Sequence, residues 1–395
     1  MRKIGVTNAD HVRVATANRS IVLVGLACLL TLCVAMPAPA GQIKTVFVIA
    51  FENHNWTQPA SQHNPGSILG NRNAPYINSL VQHGNPNATQ VSYASNYLNA
   101  GPAIHPSEAN YIWSEAGSNL GVKTDNDPYA PGGNNQSTAD SLSNYLQRSG
   151  KIWRSYQEDV NIDVTNNLPV AKDHYKVPLR SFAGKFGDGT NEYNGSDRYA
   201  YGAKHNPPVF FATTNGGNDA TSKNPRAQNY APLQQLQADL ANGTVANYNW
   251  ITPNLYNDMH SPLPAGFTYN GAHLAGDAAQ IAQGDNFLSK IVPMIASSQA
   301  YKDDGVIIIW WDETEGGDDT SHKIGEMIIS PDAKGNAYTN QTRYTHSSDL
   351  LTMQKIFNVG PCLRDACRAN DLSDLFVPGA IPDQITNNVR ELARF

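Results

Sequence analysis

Two apolar stretches of this chain end abruptly in oxygen-bearing side chains, and this pattern limits the folds open to it. The run GVIIIWW is short, β-branched and unbroken, as in a buried strand, and Asp312 and Glu313 follow it directly. The run KTVFVIAF, near the start, ends in Glu52 and Asn53. Open α/β sheets place their ligand crevice at the carboxyl ends of strands. The sequence therefore predicts one metal site, assembled from distant parts of the chain.

The first forty residues differ in character from the rest of the 395-residue chain. A basic stretch leads into an apolar run from Ile21 to Ala35, and an A-x-A cleavage signal closes it at residues 38–40. This pattern predicts a signal peptide over residues 1–40 and a secreted or periplasmic mature protein. The alternative is an uncleaved anchor. Because the apolar run is too short for a good membrane span, we expect no stable membrane insertion after cleavage.

The charge of the mature chain excludes two classes of partner. Without residues 1–40 the chain keeps 24 of its 28 basic and 33 of its 34 acidic residues, a formal net charge of −9. Such a surface repels nucleic acid and anionic membranes. A phosphate-bearing substrate would then bind only where metal ions dominate the local field.

The mature part keeps two cysteines, Cys362 and Cys367, in the segment GPCLRDACR. One close pair in an exported chain predicts a local disulfide. The alternative, two free thiols, needs a reducing compartment and conflicts with the signal peptide.

Strands alternate with helices along the chain, without internal repeats. This alternation predicts an α/β fold with a mostly parallel, doubly wound sheet between two helical layers (three-layer αβα). We expect a single domain over residues 41–395. Residues 160–230 are polar and weakly periodic, and they read as a loop-rich insertion over the crevice. The predicted strands are 44–51, 89–96, 151–157, 246–252, 305–311 and 325–330, and the predicted helices are 74–83, 107–116, 138–149, 231–241, 277–298 and 347–357.

Five segments carry residues suited to catalysis, and most of them follow a strand-like run. They are FENHNW with Glu52 and Asn53, AGPAIHPSEANYIW with His105 and Ser107, WITPNLYNDMHSP with Asn254, Asp258 and His260, WWDETEGGDD with Asp312 and Glu313, and RYTHSSDLL with His346. In this order the set resembles the phosphoesterase family that joins secreted acid phosphatases with phospholipase C enzymes, within the alkaline phosphatase-like superfamily. The resemblance implies an alkaline phosphatase-like fold. It also implies metal-ligand roles for Glu52, Asn53, Asp312 and Glu313.

Ser107 is the candidate nucleophile. A serine at a helix N-terminus faces unpaired backbone N–H groups that suit a phosphoryl oxygen. The alternative is that Ser107 is merely an N-cap, a role that serine often takes. A bound metal ion would activate its hydroxyl and offset phosphate charge.

The proposed ligands are all oxygens, which suit Ca²⁺, Mg²⁺ or Mn²⁺ better than Zn²⁺, although the identity of the metal stays open. The strand-end carboxylate pair replaces the Asp-His pair of two-zinc relatives, which favours one metal. A second site could use Asp258, His260 and His346, and Asn254 with Asp258 could instead bind phosphate.

Histidines can protonate a leaving alkoxide or bind phosphate at neutral pH. His260 and His346 are candidates for these roles, and simple packing is the alternative for both. His105 precedes a proline and could orient the nucleophile turn.

The sequence thus predicts a secreted, metal-dependent phosphomonoesterase that works through a phosphoserine. Its partner would be a small phosphate ester or a phospholipid headgroup, and not nucleic acid. A phospholipase C or other phosphodiesterase with the same site is the first alternative. A binding protein on an inactive hydrolase scaffold is the second, but it would have lost the nucleophile or a carboxylate, and neither is lost here.

Overall fold

A computed structural model describes residues 41–387. The predicted signal peptide lies outside the described residues, as do residues 388–395. Within 41–387, none of the helices combines the length and the hydropathy that a membrane span needs.

An eight-stranded sheet forms the centre of the fold, in the order β14-β2-β13-β12-β1-β9-β3-β8. Five of its seven strand pairings are parallel, and β13 runs antiparallel to both of its neighbours. The sheet strands are β1 (Thr45–Phe51), β2 (Val91–Ala94), β3 (Trp153–Gln157), β8 (Tyr230–Pro232), β9 (Tyr248–Thr252), β12 (Gly305–Trp311), β13 (Glu326–Ile329) and β14 (Tyr338–Asn340). The predicted mostly parallel sheet is therefore confirmed.

Helices cover both faces of the sheet. They are α1 (Pro75–Leu80), α2 (Ser107–Ala116), α3 (Leu142–Arg148), α4 (Ala212–Asn215), α5 (Gln234–Asn242), α6 (Asp277–Ser297), α7 (Gln299–Lys302) and α8 (His346–Phe357). Successive side chains of a strand point to opposite faces. Trp310 meets Tyr111 of α2 with ring centroids 5.1 Å apart, whereas Phe51, in register with Trp311, meets Phe287 of α6 at 6.2 Å. The predicted three-layer α/β class is confirmed.

Each predicted helix and strand is present, most of them with ends shifted by a few residues. The structure differs from the prediction at β8, at β14 and within the insertion. The residues expected to open the helix at 231–241 form the edge strand β8 instead, and the helix begins at Gln234. Edge strand β14 was not predicted, since its three residues carry no periodicity to detect. Residues 160–230 hold two small hairpins, β4 (Ile162–Asp163) with β5 (Leu168–Pro169) and β6 (Phe182–Lys185) with β7 (Arg198–Tyr201). The remaining hairpin, β10 (Phe267–Tyr269) with β11 (Ala272–Leu274), precedes α6.

Cys362 and Cys367 are joined in a disulfide, with Cα atoms 5.5 Å apart. The bridge closes a small loop after α8, so the chain entropy that it removes from the unfolded state is at the low end for disulfides.

A buried carboxyl joins α2 to α3 on one face of the sheet. Glu115 is 1% exposed. Its oxygens accept hydrogen bonds from the backbone N–H of Ser143 at 2.8 Å and from the Ser143 hydroxyl at 2.6 Å. Burial raises the pKa of Glu115 to about 7, although both bonds from Ser143 oppose the rise.

This raised pKa makes folding sensitive to pH. Between its ordinary value of 4.5 and about 7, Glu115 holds a proton in the folded state and loses it on unfolding, so stability falls as pH rises through this window. The whole shift corresponds to about 3 kcal/mol. Glu115→Gln keeps an acceptor for the backbone N–H and a donor for the hydroxyl of Ser143. We expect the variant to gain stability relative to the parent from pH 5 to pH 8, measured by urea unfolding. Parallel pH profiles for the two proteins would contradict this account.

Candidate active site

The two oxygen-bearing strand ends lie side by side. β1 and β12 are parallel neighbours with Phe51 opposite Trp311, so Glu52 and Asp312 leave the sheet together. Both side chains are fully buried. The backbone N–H of Asn53, which has a φ of 37°, donates to Asp312 Oδ1 at 3.1 Å. Residues some 260 positions apart therefore share one small volume at the carboxyl edge of the sheet.

Several oxygens in this volume have no partner. Glu52 Oε1, Asn53 Oδ1 and Asp312 Oδ2 are buried and accept no hydrogen bond from the described residues. Buried polar atoms are nearly always paired, and a cation between these acceptors would pair them. Hard oxygen ligands of this kind suit a divalent metal ion, and this donor set fits one.

The carboxyl groups are held in an unfavourable electrostatic setting. Burial, followed by repulsion from Glu52 and Glu313, raises the pKa of Asp312 well above its ordinary value. Burial likewise raises the pKa of Glu52, and the nearby Lys204 offsets part of this rise. A metal ion would reverse the effect, because its charge favours the ionised carboxylates.

The candidate nucleophile lies against this cluster. Ser107 is the first residue of α2, and its hydroxyl donates to Glu52 Oε2 at 2.9 Å. The cap position is occupied by Pro106 and has no side-chain hydrogen bond. The Ser107 hydroxyl thus points across to Glu52, and the N-cap alternative does not describe it.

Glu313 and His105 form a supporting network beside the serine. Glu313 accepts hydrogen bonds from Asn53 Nδ2 at 3.1 Å and from Asn110 Nδ2 at 2.9 Å, and it lies 2.6 Å from His105 Nδ1. The other ring nitrogen of His105 contacts Asp318 Oδ1 at 2.9 Å. The bond from Glu313, with its charge and that of Asp318, raises the pKa of His105 to about 9 despite burial. Both oxygens of Glu313 are therefore engaged, and its placement suits holding Asn53 and His105.

A histidine outside the predicted set, His205, lies beside these carboxylates. His205 Nδ1 lies 3.0 Å from Asp258 Oδ2, and His205 Nε2 lies 3.0 Å from Glu52 Oε1 without the alignment of a hydrogen bond. With the Nδ1 proton directed at Asp258, Nε2 presents a lone pair to a carboxylate oxygen. His260 supplies a third ligand atom, and ligand atoms of Glu52, His205 and His260 all lie within 4.8 Å of one another.

This second donor set changes the expected metal chemistry. Burial lowers the pKa of His205, and it lowers the pKa of His260 to about 4, so both imidazoles are neutral and able to bind a metal. Asp258 behind His205 resembles the carboxylate–histidine pairs that orient metal ligands. The structure brings Glu52, His205 and His260 together, whereas the sequence predicted a second site of Asp258, His260 and His346. The mixed nitrogen and oxygen donors of the observed set suit Zn²⁺ or Mn²⁺ as well as harder ions.

Two other candidates lie apart from these donor sets. His346 is fully buried, bonds the carbonyl of Trp311 through Nε2 at 3.1 Å, and packs on Trp310 with ring centroids 4.7 Å apart. Its placement favours the packing alternative. Asn254 bonds Asp159 through Nδ2 at 2.7 Å and accepts from two backbone N–H groups of its own loop. It shapes the loop that carries Asp258.

His205 was not predicted because it lies in the polar insertion, whose weak periodicity does not mark where strands end. One signal was available: the β-like run of β7 is followed by GAKHN, which repeats the pattern of an apolar run that ends in polar side chains.

Comparison with known proteins places the chain in a family. The model of the phosphoesterase family matches residues 52–360, and the chain belongs to this family. An acid phosphatase of Aspergillus fumigatus is 25% identical over 275 residues, which cover 68% of this chain and 49% of that protein. A phosphatidylinositol-3-phosphatase of Mycobacterium tuberculosis is 24% identical over 311 residues, which cover 78% of each. A phosphate-repressible acid phosphatase of Penicillium chrysogenum is 24% identical over 272 residues, 67% of this chain and 52% of that protein.

The chain spans about half the length of the fungal acid phosphatases that it matches. Among solved structures, a protein in the alkaline phosphatase superfamily from Vibrio parahaemolyticus is similar over 85% of this chain and 72% of its own, with 11% identity and a TM-score of 0.45.

The unpaired oxygens lead to a test of metal binding. Asp312→Asn removes one buried carboxylate charge, and we expect metal affinity to fall at least roughly tenfold, since removing even supporting groups of a metal site costs this much. Asp319→Asn is the matched control, because the Asp319 side chain is 71% exposed on the same loop. Metal content after dialysis and titration calorimetry measure the effect. Equal metal binding by both variants would remove Asp312 from the ligand set.

Proposed function

We propose that the mature chain is a secreted, metal-dependent phosphomonoesterase that acts through a phosphoserine at Ser107. The observation that carries the proposal is the Ser107 hydroxyl, which donates to Glu52 Oε2 amid buried acceptors that lack partners. Membership of the phosphoesterase family and three phosphatases among its relatives support the same activity.

In the proposed first step, the Ser107 oxygen attacks phosphorus in line. A bond forms between this oxygen and phosphorus, and the bond from phosphorus to the leaving alkoxide breaks. Glu52 Oε2 is the acceptor already in place for the hydroxyl proton. Glu52 and Asp312 with Asn53, or Glu52 with His205 and His260, would hold a metal ion, whose positive charge would favour the serine alkoxide and the phosphoryl oxygens. The protein contributes positioning and charge, as in other phosphoryl transfers.

The proposed second step hydrolyses the phosphoserine. Water attacks phosphorus, the bond from phosphorus to the Ser107 oxygen breaks, and inorganic phosphate is released. Glu52 returns its proton to the Ser107 oxygen, and the proton lost by the water replaces the one given to the leaving alkoxide. The leaving alkoxide of the first step needs a proton. Among the candidate histidines we assign this role to His105, because its raised pKa of about 9 keeps it charged at neutral pH and its side chain is 37% exposed.

The substrate is proposed to be a phosphate monoester, either a small ester or a phosphorylated lipid headgroup. All three relatives carry names of phosphatases, which favours a monoesterase over the phospholipase C alternative. Hydrolysis of p-nitrophenyl phosphate compared with its phosphorylcholine ester distinguishes the two. We expect faster hydrolysis of the monoester. Faster hydrolysis of the diester would support the phospholipase C alternative instead.

The nucleophile itself is tested by Ser107→Ala. We expect turnover of p-nitrophenyl phosphate to fall by several orders of magnitude, since the covalent route is lost, while the fold and metal content stay unchanged. Ser114→Ala is the matched control: Ser114 lies on the same helix, and its hydroxyl bonds the carbonyl of Tyr111. Full activity in Ser107→Ala would end the assignment, and phosphoserine at Ser107 in acid-quenched enzyme would support it.

A further inference from the structure

A phosphate ester that approaches Ser107 meets a strongly negative site. Glu52, Asp258, Asp312 and Glu313 are all nearly or fully buried there, so a phosphate dianion is repelled unless positive charge faces it. We propose that Lys204 is a substrate-binding residue whose ammonium contacts a phosphoryl oxygen of the ester at Ser107. The inference rests on the proposed function and adds a cation that belongs to the chain itself.

The Lys204 ammonium is held in one place. Its residue lies in the short 3-10 helix Ala203–His205 of the insertion, and its side chain is 16% exposed. Nζ lies 3.0 Å from Asp125 Oδ2 and 3.2 Å from His260 Nε2. Asp125 takes one of the three N–H bonds of the ammonium. His260 can take a second only when its Nε2 holds no metal ion, so at least one donor stays open to a ligand.

Two independent connections place this ammonium beside the nucleophile. Asp125 Oδ1 accepts the backbone N–H of Glu108 at 3.1 Å, and Glu108 directly follows Ser107. On the other side, His205 follows Lys204 in the chain and reaches Glu52, which accepts the Ser107 hydroxyl. Each path from the ammonium therefore reaches Ser107 or its neighbour through one or two intervening residues.

The ordinary pKa of a lysine side chain keeps it charged at neutral pH. The carboxylate of Asp125 lies directly against the Lys204 ammonium. The side chain is 16% exposed, so it is not sealed from solvent or from a ligand. An ammonium is a compact, strongly charged partner for phosphate oxygen, so one such contact contributes substantially to binding.

A purely structural role is the alternative. The Lys204–Asp125 ion pair links the insertion to the segment between α2 and α3, and this structural role needs no contact with substrate. The two roles differ in what they predict for inorganic phosphate, the reaction product, which would bind at the same contact.

The experiment is calorimetric titration of inorganic phosphate into the metal-loaded protein, which does not depend on turnover. Lys204→Gln is expected to weaken phosphate binding roughly 10- to 100-fold, as loss of a hydrogen bond to a charged group does. Lys204→Arg, which keeps the charge, should restore most of the affinity. Lys334→Gln is the control, because Lys334 pairs with Asp374 and does not contact the cluster.

A double variant controls for the unpaired carboxylate that Lys204→Gln creates. Lys204→Gln leaves Asp125 without its ion-pair partner, so Lys204→Gln combined with Asp125→Asn removes both charges together. This double variant, compared with Asp125→Asn alone, should again bind phosphate at least roughly tenfold more weakly. Metal content is measured on the same samples, so a loss of metal is recognised as such.

Wild-type phosphate affinity in Lys204→Gln and in the double variant would overturn the proposal. If instead the protein binds phosphate through Lys204 but fails to hydrolyse p-nitrophenyl phosphate, the proposed function falls and the phosphate contact stands.

Discussion

Buried negative charge at the ends of two adjacent strands is the constraint on which the rest of the site depends. Glu52 and Asp312 are fully buried, next to each other and only partly hydrogen-bonded. Folding tolerates this cost because β1 and β12 pair along seven residues in a packed core. Other groups of the site lie where they offset this negative charge. Asn53 donates its backbone N–H to Asp312, and His205 and His260 lie nearby as neutral imidazoles. The resulting set of donor atoms fits a metal ion.

The fold was predictable because its central strands are long, apolar and bounded by polar residues. β1 and β12 bury nearly every side chain, so their sequences carry an unambiguous pattern. Edge strands β8 and β14 have three residues each, and only pairing with a neighbour makes them strands. Local sequence cannot report such pairing, because it depends on the partner strand.

Only those site residues that lie next to regular elements could be placed from the sequence. Glu52, Ser107 and Asp312 stand at the ends or starts of regular elements, where sequence pattern marks position. His205 and Lys204 lie in a short 3-10 helix within the insertion, and their placement depends on long-range contacts with Asp258 and Asp125. His346 shows the converse, since a histidine at the start of a helix packs between Trp310 and Tyr97.

The seven-residue pairing of β1 with β12 also governs how the site should fail under heat. Both strands lie inside the sheet, flanked by β9 and β13, so neither can fray from an open edge. Partial melting at β8 or β14 would leave the acidic pair and its serine in place. Loss of the acidic pair on heating should accordingly coincide with collapse of the whole sheet, whereas the insertion that carries Lys204 and His205 can open before it.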